Sequence, residues 1–516
     1  MLVGDILARS ARLYPGKPAL ISPAARLSYR ELDEAANRLA NALRALGCAT
    51  GDRVALLMQN CHQYEIAEFG ILKAGAVVVP VNFRLSPREI AFIVNHSGSN
   101  TVITTDDYLD LLAPVRDDFE TVRNWISITD GTRRALDFDA VLKAASARPP
   151  AVALKESDLA FIFYTSGTTG QPKGATITHR NLAASALIGA IELRIQHNEV
   201  ALFTIPLFHG GGGSAPFGFF LMGATVVVAP WDSERVATFV EQEHVDTAVF
   251  VPAMMLMLLD NPAWRGRALK SLRKIGDGAA PMPSTPLRRV IQEWGVDFFN
   301  VYGLAETALY LTVLHPDDYA LEGPAEKVKR LGAVGHEVPG IELRIVGDDG
   351  MDVAPGAPGE VIARGANVTS GYWNAPDETA AALRDGWFCT GDVGVWDEER
   401  YLYIVDRKKD IIISGGENIS SVEVEEVLCR HPAVVEAAAI GVPDEQWGEA
   451  VKAIVVLRQG MSASEREIIE HCRERLASYK KPRSVEFVGA LPRNPAGKIL
   501  KTQLREPYWR GYVKRV

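Results

Sequence analysis

The stretch Tyr164-Thr165-Ser166-Gly167-Thr168-Thr169-Gly170-Gln171-Pro172-Lys173-Gly174 concentrates groups that can hold an anion. Glycines let successive backbone N–H groups converge on one point, and the hydroxyls of Thr165, Ser166, Thr168 and Thr169 with the Lys173 ammonium add further donors. The chemistry this suits is phosphate binding. A Walker A loop needs Gly followed at once by Lys and then Ser or Thr, whereas here Pro172 precedes Lys173 and Gly174 follows it, which disfavours a kinase- or ATPase-type loop. A second glycine cluster, Gly210-Gly211-Gly212-Gly213-Ser214-Ala215, formally fits a dinucleotide pattern with Asp232 downstream. Four consecutive glycines satisfy almost any glycine pattern, and no crossover helix of normal length fits before Thr225. The expectation is a flexible wall beside a substrate pocket.

The phosphate loop must be carried by regular elements, and the sequence alternates them. Ser28 and Glu31 have capping-box spacing, and Leu32, Ala35, Leu39, Leu43 and Leu46 then recur helically up to Gly47. Strand signals follow at Val54–Met58, Val102–Thr104, Ala160–Tyr164, Ala201–Pro206, Thr225–Ala229 and Ala248–Val251, interleaved with helical ones. That order predicts an α/β fold of stacked βαβ units with mainly parallel sheets. After about residue 330 the pattern changes to short strands split by Gly, Pro and Asp turns, at Ile341–Val346, Gly359–Arg364 and Tyr401–Val405. This predicts a small β-rich, barrel-like unit. The charged run Asp406-Arg407-Lys408-Lys409-Asp410 marks a boundary; taken alone it reads as a solvated face. Beyond it, capping pairs Ser420/Glu423 and Ser464/Glu467 flank strands Val434–Gly441 and Ala450–Leu457, with Pro482 expected to stop the last helix. The expected division is a large domain over 1–408, its β-rich part from about 330, and an α+β domain over 409–516.

The chain has 516 residues, with 55 Lys+Arg against 64 Asp+Glu, a formal charge of -9 that argues against a general affinity for nucleic acid or anionic lipid. The five cysteines, Cys48, Cys61, Cys389, Cys429 and Cys472, form no CxxC pair, so neither a disulfide framework nor a thiolate zinc site is expected. A reducing, cytoplasmic setting fits. No signal peptide or C-terminal targeting motif is visible. Residues 210–231 carry no charge over a length that could span a bilayer, but Gly210–Gly213, Pro216 and Pro230 favour a loop, a short helix and a strand at Thr225–Val228 instead.

With these motifs taken together, the sequence resembles the adenylate-forming superfamily of acyl-CoA synthetases, peptide-synthetase adenylation domains and luciferases. Tyr164–Gly174 looks like its phosphate-binding signature and Asn300-Val301-Tyr302-Gly303-Leu304-Ala305-Glu306-Thr307 like its second nucleotide motif. Trp387-Phe388-Cys389-Thr390-Gly391-Asp392 matches its Thr-Gly-Asp element, Asp406–Asp410 with Ser414-Gly415-Gly416-Glu417 its hinge and following loop, and Pro492–Lys498 its C-terminal lysine motif. The resemblance implies a site for ATP, Mg²⁺ and CoA. Thr165, Ser166, Gly167, Thr168, Thr169, Gly170, Lys173 and Thr307 would bind phosphates. Gly278, Ala279, Ala280 and Tyr302 would line the adenine, with Tyr302 stacked on it. Asp392 and Arg407 would reach the ribose and phosphate region, and Glu306 would hold Mg²⁺. His209, Gly210, Gly211, Phe250 and Gly303 would form the acyl pocket. Lys498 would bridge the attacking carboxylate and the α-phosphate. Lys409 would be the hinge of a mobile C-terminal lid, and Ser414, Gly415, Gly416 and Glu417 would help form the pantetheine tunnel after it rotates. Ala305 stands where many relatives carry Thr or Ser, and Asp277 is an unusual neighbour for an adenine.

The implied reaction joins a carboxylic acid to ATP as an acyl-adenylate, releasing pyrophosphate, and then passes the acyl group to the CoA thiol. The expected acid is an aryl, hydroxycinnamic or medium-chain fatty acid. An alternative acceptor is the phosphopantetheine of a carrier protein, and a non-catalytic ATP- or acyl-binding regulator is a third reading, opposed by Lys173, Glu306, Asp392 and Lys498. The partners expected are these small molecules, with no nucleic acid and no membrane span; a homodimer is compatible.

Overall fold

The computed structural model describes residues 1–510 except 129–134, 166–171, 262–263, 265–270, 279, 281, 408–409, 415–416, 445–446 and 494–497; Arg407, Asn418 and Gly448 are described by backbone only. The α/β alternation resolves into two large sheets. One has nine strands in the order His336–Glu337, Thr312–Leu314, Asp297–Tyr302, Lys274–Gly278, Thr247–Phe250, Val200–Phe203, Thr225–Val228, Pro18–Ser22 and Ala25–Ser28. Its six middle strands, from Asp297–Tyr302 to Pro18–Ser22, run parallel. The other has seven strands, ordered Leu136–Asp137, Asn124–Ile128, Ser99–Thr105, Arg53–Leu57, Val77–Pro80, Leu159–Thr165 and Lys173–Thr178. Their apolar strands are buried on both faces, as parallel sheets covered by helices must be. The helix Tyr29–Ala45 begins at the predicted capping box on Ser28 and Glu31 and buries Leu32, Ala36, Leu39 and Leu43.

The β-rich region is a curled antiparallel sheet of Ile341–Val346, Gly359–Gly365, Trp387–Trp396, Leu402–Arg407 and Leu383–Arg384. The C-terminal unit has its own five-stranded sheet, built on the long hairpin Val434–Asp444 and Gly448–Leu457, and its own apolar clusters around Val424, Leu428, Ile468 and Cys472 and around Ile440 and Leu491. The Ser464–Glu467 capping box forms, but its helix ends at Arg473, well before Pro482. Leu476 nevertheless packs against this core. At the second pair, Ser420 caps Glu423 as expected, while the Glu423 carboxylate turns to Lys480 at 2.7 Å instead of back to the cap.

Three local features go beyond what the sequence pattern predicts. The phosphate loop joins strands Leu159–Thr165 and Lys173–Thr178, which pair antiparallel with Thr165 opposite Lys173. The two strands that flank the phosphate loop are therefore direct antiparallel partners. The glycine run is helical over Gly210–Ser214. Its glycines serve close packing: a Cβ on Gly212 would stand 2.2 Å from the Pro206 carbonyl oxygen, and one on Gly210 would stand 2.8 Å from Ala305 Cα. The two acids at the ends of the charged run are engaged by the protein and are not part of a solvated face. Asp406 is 3% exposed and accepts from the Ser421 N–H at 2.8 Å, and Asp410 pairs with Arg505.

Candidate active site

The site forms where adjacent parallel strands end. Pro206 follows Val200–Phe203, Val251 follows Thr247–Phe250 and Gly303 follows Asp297–Tyr302; all three line a cavity of about 880 Å³. Ligands of open α/β sheets lie at the carboxyl ends of strands because the connecting loops diverge there. Thr165 and Lys173, at the two ends of the phosphate-loop hairpin, line the same cavity, as do His209, Gly210, Gly211 and Glu306. Lys498 and Arg493 come to it from the C-terminal unit. Five segments far apart in sequence thus meet around one space.

Local backbone explains how the central turn holds its shape. Strand Asp297–Tyr302 runs into Gly303, where a Cβ would lie 1.5 Å from the Leu309 carbonyl oxygen, so only glycine fits. The 3₁₀ turn Ala305–Thr307 follows, then Ala308 and Leu309 with φ of 45° and 98°. A left-handed leucine is a strained conformation that the surroundings must enforce. Buried Asn367 does so, donating to the Thr307 and Tyr310 carbonyls at 2.8 and 2.6 Å.

Glu306 is 7% exposed, and its Oε1 accepts from the Tyr372 hydroxyl at 2.9 Å. The Glu306 carbonyl accepts from the Thr369 N–H at 2.7 Å, and Trp373 N–H bonds the Gly174 carbonyl at 2.7 Å. Segment 369–373 is therefore laid along strand Lys173–Thr178. Lys173 Nζ stands 5.8 Å from the Tyr372 ring centre, within cation–π range, and 4.0 Å from Glu378. Tyr372 ties the cation and the carboxylate of the site together, and the sequence motifs did not single it out. The visible signal was Gly371, at φ 138°, set before two adjacent aromatics in a connecting segment. Behind the loop, the Tyr164 hydroxyl and His96 Nδ1 are 2.7 Å apart, and Trp373 donates to the His96 carbonyl at 3.2 Å.

The remaining expected residues divide. Tyr302 donates its hydroxyl to Asp392 at 2.8 Å, and Asp392 is 3% exposed. This joins two of the nucleotide motifs. Gly278 lies beside Val301 on the adjoining strand, with Ala280 just beyond it. Thr307 departs from the phosphate-binding expectation. It is fully buried, its hydroxyl accepting from Leu304 N–H and donating to the Leu304 carbonyl at 3.0 and 3.1 Å, so that group closes the turn. Phe250 departs from the acyl-pocket expectation: it is fully buried, edge-on to Trp231 and Trp264 at 6.1 and 6.3 Å, and it backs the wall that Trp231 and Val251 present to the cavity. Ser414 and Glu417 pair with each other at the end of a hairpin of the C-terminal sheet and do not line the cavity in this arrangement. Ser166, Gly167, Thr168, Thr169, Gly170, Ala279, Lys409, Gly415 and Gly416 lie outside the described residues, as does the Arg407 side chain.

Asp277 sits behind the nucleotide strands, fully desolvated, and burial pushes its carboxyl well above the usual range. The amide of Asn300 reaches it at 3.3 Å.

Comparison with known proteins accords with this geometry. The family model described as AMP-binding enzyme matches residues 7–373, and that of the AMP-binding enzyme C-terminal domain matches 423–498. A long-chain-fatty-acid–CoA ligase of Mycobacterium tuberculosis, FadD13, is 37% identical over 512 residues, covering 98% of each chain. A feruloyl-CoA synthase of Amycolatopsis sp is 38% identical over 508 residues, covering 98% of this chain and 99% of its own. The crystal structure of the anthranilate CoA ligase AuaEII in complex with anthranoyl-AMP superposes with a TM-score of 0.92 at 27% identity, over 98% of this chain and 97% of that one. With both family models matched in order along one chain and their motifs gathered around one cavity, the protein belongs to the AMP-binding enzyme family.

Proposed function

We propose that the protein is an ATP-dependent acid–CoA ligase working in two half-reactions, with Lys498 serving the first. Family membership makes it an AMP-forming acid–thiol ligase. The observation that carries the residue roles is the single cavity shared by Thr165, Lys173, His209 and Glu306 of the large unit and Lys498 of the small one.

In the first half-reaction an oxygen of the carboxylate attacks the α-phosphorus of ATP, and the bond to the β,γ-diphosphate breaks. The pentavalent centre gathers negative charge. Lys498 and Lys173 supply fixed positive charge there, which lowers the barrier because it acts where charge develops. Asp392, held by Tyr302, accepts from the ribose hydroxyls. His209 stands at the acyl end, its ring 4.4 Å from that of Phe208. Glu306 offers a hard carboxylate oxygen of the kind Mg²⁺ takes.

In the second half-reaction the thiol sulfur attacks the carbonyl carbon, the acyl–phosphate bond breaks, AMP leaves and the thiol proton passes to solvent. No enzyme nucleophile is needed. Lys498 must withdraw for the thiol, so the C-terminal unit, divided from the body near Lys409, acts as a lid, and Ser414–Glu417 then faces the site. Acids of the aryl, hydroxycinnamic and fatty classes all present the required carboxylate. The deciding experiment measures pyrophosphate release over a panel of acids, with and without CoA. Pyrophosphate released for some acid, with CoA thioester accumulating, supports the reading, whereas thioester formed only on carrier-protein phosphopantetheine overturns the choice of acceptor.

A further inference from the structure

The acyl side of the cavity carries more information than the carboxylate alone. The helix Pro252–Leu259 follows directly from strand Thr247–Phe250 and contains no polar residue: Pro252-Ala253-Met254-Met255-Leu256-Met257-Leu258-Leu259. A helix apolar all round is ordinarily buried all round. Here Met255 and Leu258 face the core, fully buried, and Leu259, 2% exposed, is shared between the core and the cavity wall. Ala253, Met254, Leu256 and Met257 instead line the cavity, at the i, i+1, i+3, i+4 spacing of one helix face. Met257 is 57% exposed. The cavity therefore joins His209, Gly303 and Glu306 to an aliphatic helix face that is exposed to solvent at Met257. At the far end Asp260 and Arg289 pair at 3.5 Å.

We infer that this face is the seat of a long, unbranched hydrocarbon tail, so that the preferred substrate is a fatty acid of about twelve carbons or more. The inference rests on the acid–CoA ligase reading and names its substrate class. A compact aryl acid held at His209 and Gly303 leaves the helix face wet, whereas a tail covers it. Eight helical residues span about 12 Å, and a staggered hydrocarbon chain advances about 1.25 Å per carbon, so roughly ten methylenes run the length of the face. Met254 and Met257 are unbranched and polarisable, which lets the wall mould to a flexible chain. Because the face is exposed at Met257, longer tails project outward and meet no sharp upper limit.

The test is kcat/KM for straight-chain acids from six to eighteen carbons beside ferulate, indoleacetate and anthranilate, in the wild type and in Ala253→Phe and Met257→Glu. Selectivity rises by up to about fourfold per methylene to twelve carbons and then levels. Ala253→Phe, which blocks the channel near its start, lowers the ratio of hexadecanoate to hexanoate at least about tenfold. Met257→Glu, an exposed change that does not threaten folding, lowers the same ratio by placing a charge beside the tail. An aromatic acid outpacing every straight-chain acid, or a ratio indifferent to both substitutions, overturns the inference. Pyrophosphate silence with every acid overturns the ligase reading instead. Displacement of a bound fluorescent fatty acid by dodecanoate then still judges the channel, and failure to displace it refutes the tail site.

Discussion

Replacing Tyr372 with Phe removes one hydroxyl and leaves the ring between Lys173 and segment 369–373 in place. The lost contact is the 2.9 Å bond to Glu306 Oε1. A hydrogen bond to a charged acceptor is worth about 1.5–3 kcal/mol. The carboxylate borders a cavity that admits water, so the lower end applies, and about 1.4 kcal/mol is tenfold in rate. On the roles proposed above, the defect belongs to adenylation, because Glu306 would serve the nucleotide there and would take no part in thiol attack. Pyrophosphate release at saturating acid, with MgATP and free Mg²⁺ varied separately, should show kcat/KM for MgATP reduced about tenfold. Thioester formation from supplied acyl-adenylate should change little. The ring still packs, so Tm should move by no more than about 2–4 °C. Unchanged adenylation kinetics refute the positioning of Glu306 by Tyr372. Equal losses in both half-reactions with a large drop in Tm reduce the residue to a structural strut.

Lys498→Ala should slow adenylation by roughly 10²–10³ while sparing thioester formation from supplied acyl-adenylate; equal loss of both steps counts against its assigned role. Glu65 and Glu68 are fully buried one helical turn apart, and burial raises both carboxyl pKa values above the unfolded value of 4.5, with mutual repulsion adding to Glu68. Their contribution to stability is fully present below that value and is lost as pH rises, at roughly 1.4 kcal/mol per pH unit for each proton retained. Glu65→Gln/Glu68→Gln should therefore gain in Tm over the wild type increasingly from pH 5 to pH 9, and parallel Tm profiles would contradict this. Gly212→Ala forces a Cβ to within 2.2 Å of the Pro206 carbonyl and should cost about 1–3 kcal/mol by overpacking, read as a lower midpoint in urea.

The sheets and the helix starts were legible because they are local. Alternation of apolar runs, capping pairs at Ser28 and Ser464 and the switch in grammar after residue 330 all reflect short-range physics. The motif residues Thr165, Lys173, Glu306 and Lys498 could be named from sequence, and their meeting in one cavity is what the fold adds. What escaped depends on the third dimension. Gly210–Gly213 read as flexible because glycine's missing Cβ has two uses, freedom and close approach, and only the neighbouring Pro206 carbonyl and Ala305 show which applies. Phe250 and Val251 are adjacent apolar residues, and strand alternation alone could not tell which faced the cavity. Thr307 carries a hydroxyl in a nucleotide motif, yet the turn's own unpaired groups claim it first. Tyr372 was missed because its partner Glu306 is 66 residues away, beyond any pattern a sequence window can hold.

The two proposed half-reactions set a limit on how firmly a C-terminal lid can bind. Lys498 lines the cavity in the arrangement seen, while Ser414 and Glu417 do not; the thiol step asks for the reverse. Contacts between the units accordingly include small, exchangeable ones, such as the Ser284 hydroxyl on Glu426 at 2.9 Å. Its acceptor is a carboxylate, but the contact is only partly buried and water replaces whichever partner leaves, so its net contribution sits near the low end for a charged acceptor, about 1.5 kcal/mol. Within the lid the opposite holds. Lys501 and Glu425 pair at 2.7 Å with side chains no more than 18% exposed, and breaking such a buried pair is costly. On the proposed two-step mechanism, strong contacts inside the C-terminal unit let it rotate as a body without loosening, the buried Asp406–Ser421 contact staying near the expected pivot, so that Lys498 is expected to leave as Ser414 and Glu417 arrive.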